Sequence, residues 1–182
     1  MNEIYKTPKD AIANLANLDK RSIKRLKVSG VENDGIFLCK DRIFKITSSK
    51  REFLAAKRIM QEDFQNVVKI HNIYECLMIF SEKPYRTYIL EEERLFRDKR
   101  NYVFDDLDIA FACVDINKRL PYFVAVLNGL AELASIGVEH NDLHSLNIMM
   151  DKIGEIKIID FGFAKLKKTC QIVNVRAKTL YI

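Results

Sequence analysis

Asp142 and Asn147 stand five residues apart in His140-Asn141-Asp142-Leu143-His144-Ser145-Leu146-Asn147, and Asp160-Phe161-Gly162 follows thirteen residues later. These are the side chains that could do chemistry. A carboxylate can orient an attacking hydroxyl and take its proton. A carboxamide and a second carboxylate can hold Mg²⁺, and a cation can sit over phosphate oxygens. Phosphoryl transfer asks for this placement of charge more than for covalent help from protein. Asn and Asp also favour ordinary turns. Two separate clusters, joined by a hairpin of fitting length, weigh against turns alone.

The elements around these residues follow from pattern. Pro121 opens a helix in which Phe123, Val126, Leu127, Leu130 and Leu133 recur at three and four, a stripe expected to be buried. Gly137 ends it. Asn147–Asp151 and Glu155–Ile159 form a short hairpin around Lys152-Ile153-Gly154 that returns Asp160 beside Asp142. Upstream, Thr7 caps a helix with Pro8 at its first position and Ile12, Leu15 and Ala16 on one face. A basic helical turn is expected over Lys20–Leu26. Strands are expected at 27–29, 35–39 and 42–46, with Lys45 on the last. Ser48-Ser49 then caps a helix to about Met60, with Phe53, Ala56 and Met60 at helical spacing. Further strands are expected at 67–70, 77–80 and 88–90, and the mixed stretch Arg94–Leu120 reads as a connection.

Composition sets outer limits. The chain has 182 residues, 48% apolar and 30% charged, an ordinary globular balance without repeats. No apolar run reaches the ~18 residues of a membrane span. The first residues lack the pattern of a secretory signal. Cys39, Cys76, Cys113 and Cys170 have no metal-ligand spacing and suit thiols in a reducing compartment, so the expected location is cytoplasmic. The net charge of +5 comes partly from Lys20 to Lys27 and partly from the stretch after Asp160. Without interleaved aromatic residues these runs read as solvated faces, and no specific nucleic acid is expected.

The two motifs, H-x-D-L-x-x-x-N and D-F-G, resemble the catalytic and metal-binding loops of the protein-kinase superfamily. The resemblance runs from about Val28 to Ala164. It implies an α+β, bilobal protein-kinase-like fold with a small antiparallel-sheet N-lobe and a truncated helical C-lobe. The implied divisions are residues 1–26, an N-terminal helical extension; 27–93, the N-lobe; and 94–182, a minimal C-lobe. It implies ATP and Mg²⁺, with Asp142, Lys45, Asn147 and Asp160 catalytic and Asn147 and Asp160 holding the metal. Lys45 in Phe44-Lys45-Ile46 would neutralise phosphate oxygens. Glu52 would pair with it, with Glu62 as rival, although the family usually has a longer gap. Gly30 and Gly35 would bound a glycine-rich loop whose middle glycine is replaced by Glu32, with Asp34 also acidic. Glu92 and Glu93, in Glu91-Glu92-Glu93, would lie at the hinge that meets adenine through its backbone.

Two departures bear on the acceptor. His144 stands where the Ser/Thr branch usually has lysine, a feature similar to small-molecule kinases. Only 20 residues follow Gly162, without an A-P-E element. What remains resembles minimal kinases of bacterial effectors, phages and viruses. The implied activity is transfer to protein hydroxyls, Ser/Thr rather than Tyr, by an effector acting on host proteins after delivery. A docking or activating partner would supply what the short C-lobe lacks. The alternatives are a small-molecule phosphotransferase and a pseudokinase acting as a binding module. Thr169, Thr179 and Tyr181, in the basic tail, are candidate autophosphorylation sites.

Overall fold

A computed structural model of the chain describes residues 3–26, 35–79, 83–96 and 116–167. Strand β1 (Ile4–Tyr5) is followed by helix α1 (Pro8–Leu15), a 3-10 turn (Lys20–Ser22), β2 (Lys24–Leu26), β3 (Gly35–Cys39) and β4 (Arg42–Thr47). Helix α2 (Lys50–Ile59) leads to the long strands β5 (Ile70–Ile79) and β6 (Pro84–Glu93). Beyond them come helix α3 (Ile116–Ser135), β7 (Val138–Glu139), a 3-10 turn (Ser145–Asn147), the hairpin β8 (Ile148–Met150) and β9 (Ile156–Ile158), and β10 (Lys165–Leu166). The architecture is α+β, with three α-helices among the described residues and a six-stranded sheet ordered β1-β5-β6-β4-β3-β2.

All neighbours in that sheet run antiparallel except β1, which pairs in parallel with β5. The first 26 residues are therefore not a separate helical extension. They supply both edge strands, and α1 covers one face of the sheet. The basic turn expected over Lys20–Leu26 is helical only for Lys20–Ser22. Lys24–Leu26 pair with β3 instead, because edge pairing satisfies backbone groups that a short basic helix would leave open. Thr7 caps α1 with Pro8 in its first turn, and Ala11 and Ile12 are its buried residues. The strand expected at 27–29, Gly30 and the acidic positions Glu32 and Asp34 lie outside the described residues.

Period-two alternation in β3 and β4 divides the molecule into two cores. Phe37, Cys39, Phe44 and Ile46 face Tyr5, Ile12 and Ile23 in one. In the other, Ala55, Ala56 and Ile59 of α2 meet Val67, Val68, Leu90, Leu133, Ile158 and Phe161. The separate strands expected near Val67 and Leu77 resolve differently. One strand runs Ile70–Ile79, while Val67 makes an isolated bridge to Ile158 and Val68 N–H donates to Ile158 O at 3.0 Å. That bridge ties the sheet to the hairpin. A second tie is the pair of backbone hydrogen bonds between Phe96 and Met150, at 2.7 and 2.9 Å.

Helix α3 departs from expectation at its start and on its face. It begins at Ile116 and contains Pro121, which near the helix start forfeits a backbone bond without ending the helix. Of the stripe, Leu133 is buried, but Phe123 and Leu127 are exposed, Leu127 by 64%. Helix α3 packs against the β7 and β9 strands, and Gly129 allows Asn66 and Ile158 to approach closely.

Candidate active site

Three segments bring the candidate groups together. Strand β4 carries Lys45 with Phe44 and Ile46 turned to the opposite face. Helix α2 begins almost at once, because Ser49 caps it and its hydroxyl accepts the N–H of Glu52. Thr47 in turn accepts the N–H of Ser49, so the turn between strand and helix is closed by side chains. Glu52 therefore sits in the first turn of α2, facing back over β4. The short gap from Lys45 is bridged: Lys45 Nζ lies 2.6 Å from Glu52 Oε1. Glu62 is exposed beyond the helix end and does not approach Lys45.

Asp160 arrives from the other side. Its Oδ1 lies 2.9 Å from Lys45 Nζ and also accepts the N–H of Gly162 at 3.2 Å. Lys45 thus bridges two carboxylates. Its own side chain is 6% exposed, that of Glu52 4% and that of Asp160 34%. Burial alone would pull the lysine pKa down. The charges of Glu52 and Asp160 outweigh it, and the net shift is upward. For Asp160 burial works upward, but the Lys45 charge, its hydrogen bond and the Gly162 N–H together hold the carboxyl below its usual range.

The loop from His140 to Asn147 is fixed by its imidazoles. His140 is buried. Its Nδ1 accepts the N–H of Asp142, which places the ring proton on Nε2 for donation to Ile159 O at 2.9 Å. The ring also meets Phe161 edge-on, with centroids 5.5 Å apart. Ile159, which leads into Asp160-Phe161-Gly162, is thereby tied to the loop carrying Asp142. Asn147 donates from Nδ2 to Asp142 O at 2.9 Å, and its backbone O accepts the N–H of Ile159 at 3.0 Å. His144 caps the 3-10 turn through Nδ1, and its Nε2 lies 3.1 Å from Asn147 Nδ2 and 3.7 Å from Asp142 Oδ2. Asn141 and Asp160 both adopt left-handed backbone, at φ 60° and 64°, a conformation Asn and Asp tolerate better than most residues. Such outliers concentrate where local geometry is over-determined.

The donor set suits a hard divalent cation. Because Asn147 spends its amide nitrogen on Asp142 O, its carbonyl oxygen is turned the other way. Asp160 commits Oδ1 to Lys45 and Gly162, leaving Oδ2. Two protein oxygens leave room for waters and phosphate oxygens around Mg²⁺, which favours such mixed shells. No group of three or more His, Cys, Asp or Glu side chains that could form a metal cage exists among the described residues.

Glu92 and Glu93 have different surroundings. The Glu93 carboxylate accepts the N–H of Lys69 at 2.8 Å, and its own N–H donates to Lys69 O. Glu92 pairs across the sheet with Ile43, on the face that carries Lys45. Burial pushes its carboxyl up to about 7, against the pull of Lys45. Glu91 lies on the opposite face, held by Arg42, Asn72 and Tyr74. Gly35 begins β3 at φ 139°, a backbone that favours glycine.

Three positioning residues carry no motif. Arg58 of α2 donates to Ile136 O, Gly137 O and Lys167 O at 2.8, 3.1 and 3.0 Å, pinning the helix that presents Glu52. Glu132 of α3 accepts the N–H groups of Gln65 and Asn66, both at 2.9 Å, and the Asn66 amide donates to Ile156 O. These bonds fix the hairpin that delivers Asp160. A sequence signal was present only in the helical placement of Arg58 and Glu132; their partners are backbone groups far away in the chain. Thr169, Thr179 and Tyr181 lie outside the described residues.

Residues 40–181 match the family model of the protein kinase domain. A putative serine/threonine-protein kinase of Acanthamoeba polyphaga mimivirus is 30% identical over 147 residues, 74% of this chain and 22% of that protein. The serine/threonine-protein kinase chk1 of Schizosaccharomyces pombe is 47% identical over 45 residues, 25% of this chain and 9% of its own length. Human serine/threonine-protein kinase PAK 4 is 25% identical over 164 residues, 86% of this chain and 24% of its own. The chain thus spans about a quarter or less of the length of these relatives.

Proposed function

The chain belongs to the protein kinase family, and we propose that it transfers the γ-phosphoryl group of ATP to serine or threonine hydroxyls of proteins, with Mg²⁺. The observation that carries this reading is Lys45 held between Glu52 and Asp160 while Asp142, its side chain 41% exposed, is bonded through its backbone oxygen to Asn147. The lysine keeps its charge because two carboxylates surround it, so it is a fixed cation for phosphate oxygens. Asp142 accepts no hydrogen bond on its carboxylate from described groups closer than His144 at 3.7 Å, leaving it for an incoming hydroxyl. The hydroxyl oxygen attacks the γ-phosphorus, the bond to the β,γ-bridging oxygen breaks, ADP leaves, and the hydroxyl proton passes to Asp142. A bound Mg²⁺ would neutralise charge on the phosphate oxygens, held by Asn147 Oδ1 and Asp160 Oδ2.

The names of the relatives favour serine and threonine as acceptors. Buried thiols at Cys39 and Cys76, and dependence on ATP, favour action in a cytoplasm, whether the cell's own or a host's. No described helix is long and apolar enough to cross a membrane. The exposed Leu120, Val124 and Leu127 on α3 favour a docking or activating partner over that face. The test is incubation with γ-labelled ATP and Mg²⁺, alone and with cell lysate, for wild type and Asp160→Ala. Label on protein in the wild type and not in the variant supports the reading. Label appearing only on small molecules contradicts it.

A further inference from the structure

The two imidazoles of the loop around Asp142 are used differently. Both nitrogens of His140 are spent on backbone groups, the Asp142 N–H and Ile159 O. In His144, Nδ1 accepts the N–H of Leu146 at 3.2 Å, which places the ring proton on Nε2. That second N–H faces two groups. Asn147 Nδ2, 3.1 Å away, is itself a donor committed to Asp142 O, so the two N–H groups oppose each other. Asp142 Oδ2, 3.7 Å away, is an acceptor just outside hydrogen-bond reach. Turning the ring off Asn147 and onto the carboxylate relieves the first contact and completes the second.

The local fold does not itself call for histidine at this position. The backbone of His144 is extended, at φ −147° and ψ 174°, which any residue adopts. Its side chain is 45% exposed and fills no core. Serine or aspartate would cap the 3-10 turn as well. Asp142, for its part, has a fixed backbone and a loose carboxylate. Its N–H is held by His140 and its carbonyl by Asn147. Among the described residues no hydrogen bond reaches its carboxylate, and the His144 N–H is the donor poised beside it. A carboxylate that must meet a hydroxyl in one orientation gains from a donor that fixes its other oxygen.

We propose that His144 is a positioning residue for transfer: its Nε2–H donates to Asp142 Oδ2 and so turns Oδ1 to the attacking hydroxyl. The ring acts as an uncharged donor and does not meet the nucleotide. This rests on the phosphoryl-transfer reading above and adds to it the group that orients the carboxylate on the acceptor side.

The test is single-turnover transfer from saturating γ-labelled ATP with Mg²⁺ to a serine/threonine peptide library. ATP affinity by calorimetry and thermal melts are taken on the same samples. Two variants separate the two bonds of the ring. His144→Asn keeps an acceptor for the N–H two residues on and loses the distal donor. His144→Gln keeps a distal, uncharged N–H donor and gives up the cap. His144→Asn should transfer about tenfold more slowly than wild type, the scale of one hydrogen bond to a charged group, with ATP affinity unchanged. His144→Gln should recover most of that rate. A role confined to capping predicts the opposite order. In an Asp142→Ala background, His144→Asn should change nothing further, because the carboxylate it orients is gone. Four results would each overturn the assignment and leave the kinase reading standing: His144→Asn at the wild-type rate, His144→Gln slower than His144→Asn, weaker ATP binding in His144→Asn, or the full tenfold loss repeated without Asp142. A folded wild type that labels no peptide overturns the kinase reading and this inference with it.

Discussion

Lys45→Met removes the one cation between Glu52 and Asp160. Both Lys45 and Glu52 are buried, with their charges 2.6 Å apart, so the methionine leaves Glu52 enclosed without its counter-ion. Breaking a buried pair by deleting one partner costs ~3–5 kcal/mol. The Asp160 contact adds little to that, because its carboxylate is about a third exposed and water screens it. The expected loss is therefore at the low end, about 3 kcal/mol, or a fall in Tm of roughly 6–12 °C for a chain of this length. Urea and thermal melts at neutral pH measure it. The double variant Lys45→Met/Glu52→Leu should recover most of the loss, since a well-packed apolar pair replaces a buried ionic one at little cost. Glu62→Leu, an exposed change, should stay within ~0.5 kcal/mol of wild type. A Lys45→Met loss below ~1 kcal/mol, or no recovery in the double variant, would refute the buried ion pair.

Other consequences are equally direct. Arg58→Ala removes a charged donor from three carbonyls and should cost about 2 kcal/mol in denaturant melts, with Arg58→Lys recovering only part because it lacks the planar fork. Gly129→Ala would set a Cβ 2.7 Å from Asn66 O and 2.9 Å from Ile158 Cδ1, so melts should show a net loss of ~1–3 kcal/mol although alanine is the better helix former. Stability should also follow pH in three windows. Asp160, depressed in the fold, contributes above its unfolded value near 3.8, and that contribution is lost as pH falls. Lys45, raised in the fold, contributes below its unfolded value of 10.5 and loses that contribution as pH rises past it. Glu92, raised to about 7 from 4.5, makes stability decline between those two values by at most about 3 kcal/mol, and Glu92→Gln should flatten that slope in pH-dependent melts.

The site was more legible in the sequence than the lobe that frames it. Asp142, Asn147 and Asp160 are read from spacing because a rigid loop and a short hairpin position them locally. The hairpin forms where Asp151 can accept the N–H groups of Ile153 and Glu155 and Gly154 can take a positive φ. Lys45 and Glu52 are read from strand alternation and a Ser cap. What the sequence hid is non-local. Ile4 and Tyr5 form a strand only because the edge of β5 is there to pair with them. Two apolar bursts, near Val67 and Leu77, are divided by polar residues that face outward on a ten-residue strand, so the expected two strands are one strand and a bridge. The stripe on α3 has helical spacing along its length, yet Leu133 is buried while Phe123 and Leu127 are exposed. Periodicity reports which face is apolar, not how much of it is covered. Arg58 and Glu132 look like ordinary surface charges until the fold brings backbone groups to them.

The most direct test of the account is single-turnover transfer from γ-labelled ATP to a serine/threonine peptide library, comparing wild type with Asp142→Asn while ATP affinity is measured in the same samples. The account predicts unchanged ATP affinity, because Asp142 meets the hydroxyl rather than the nucleotide, and transfer lowered by ~10²-fold or more. Transfer at near wild-type rate in the variant would contradict it.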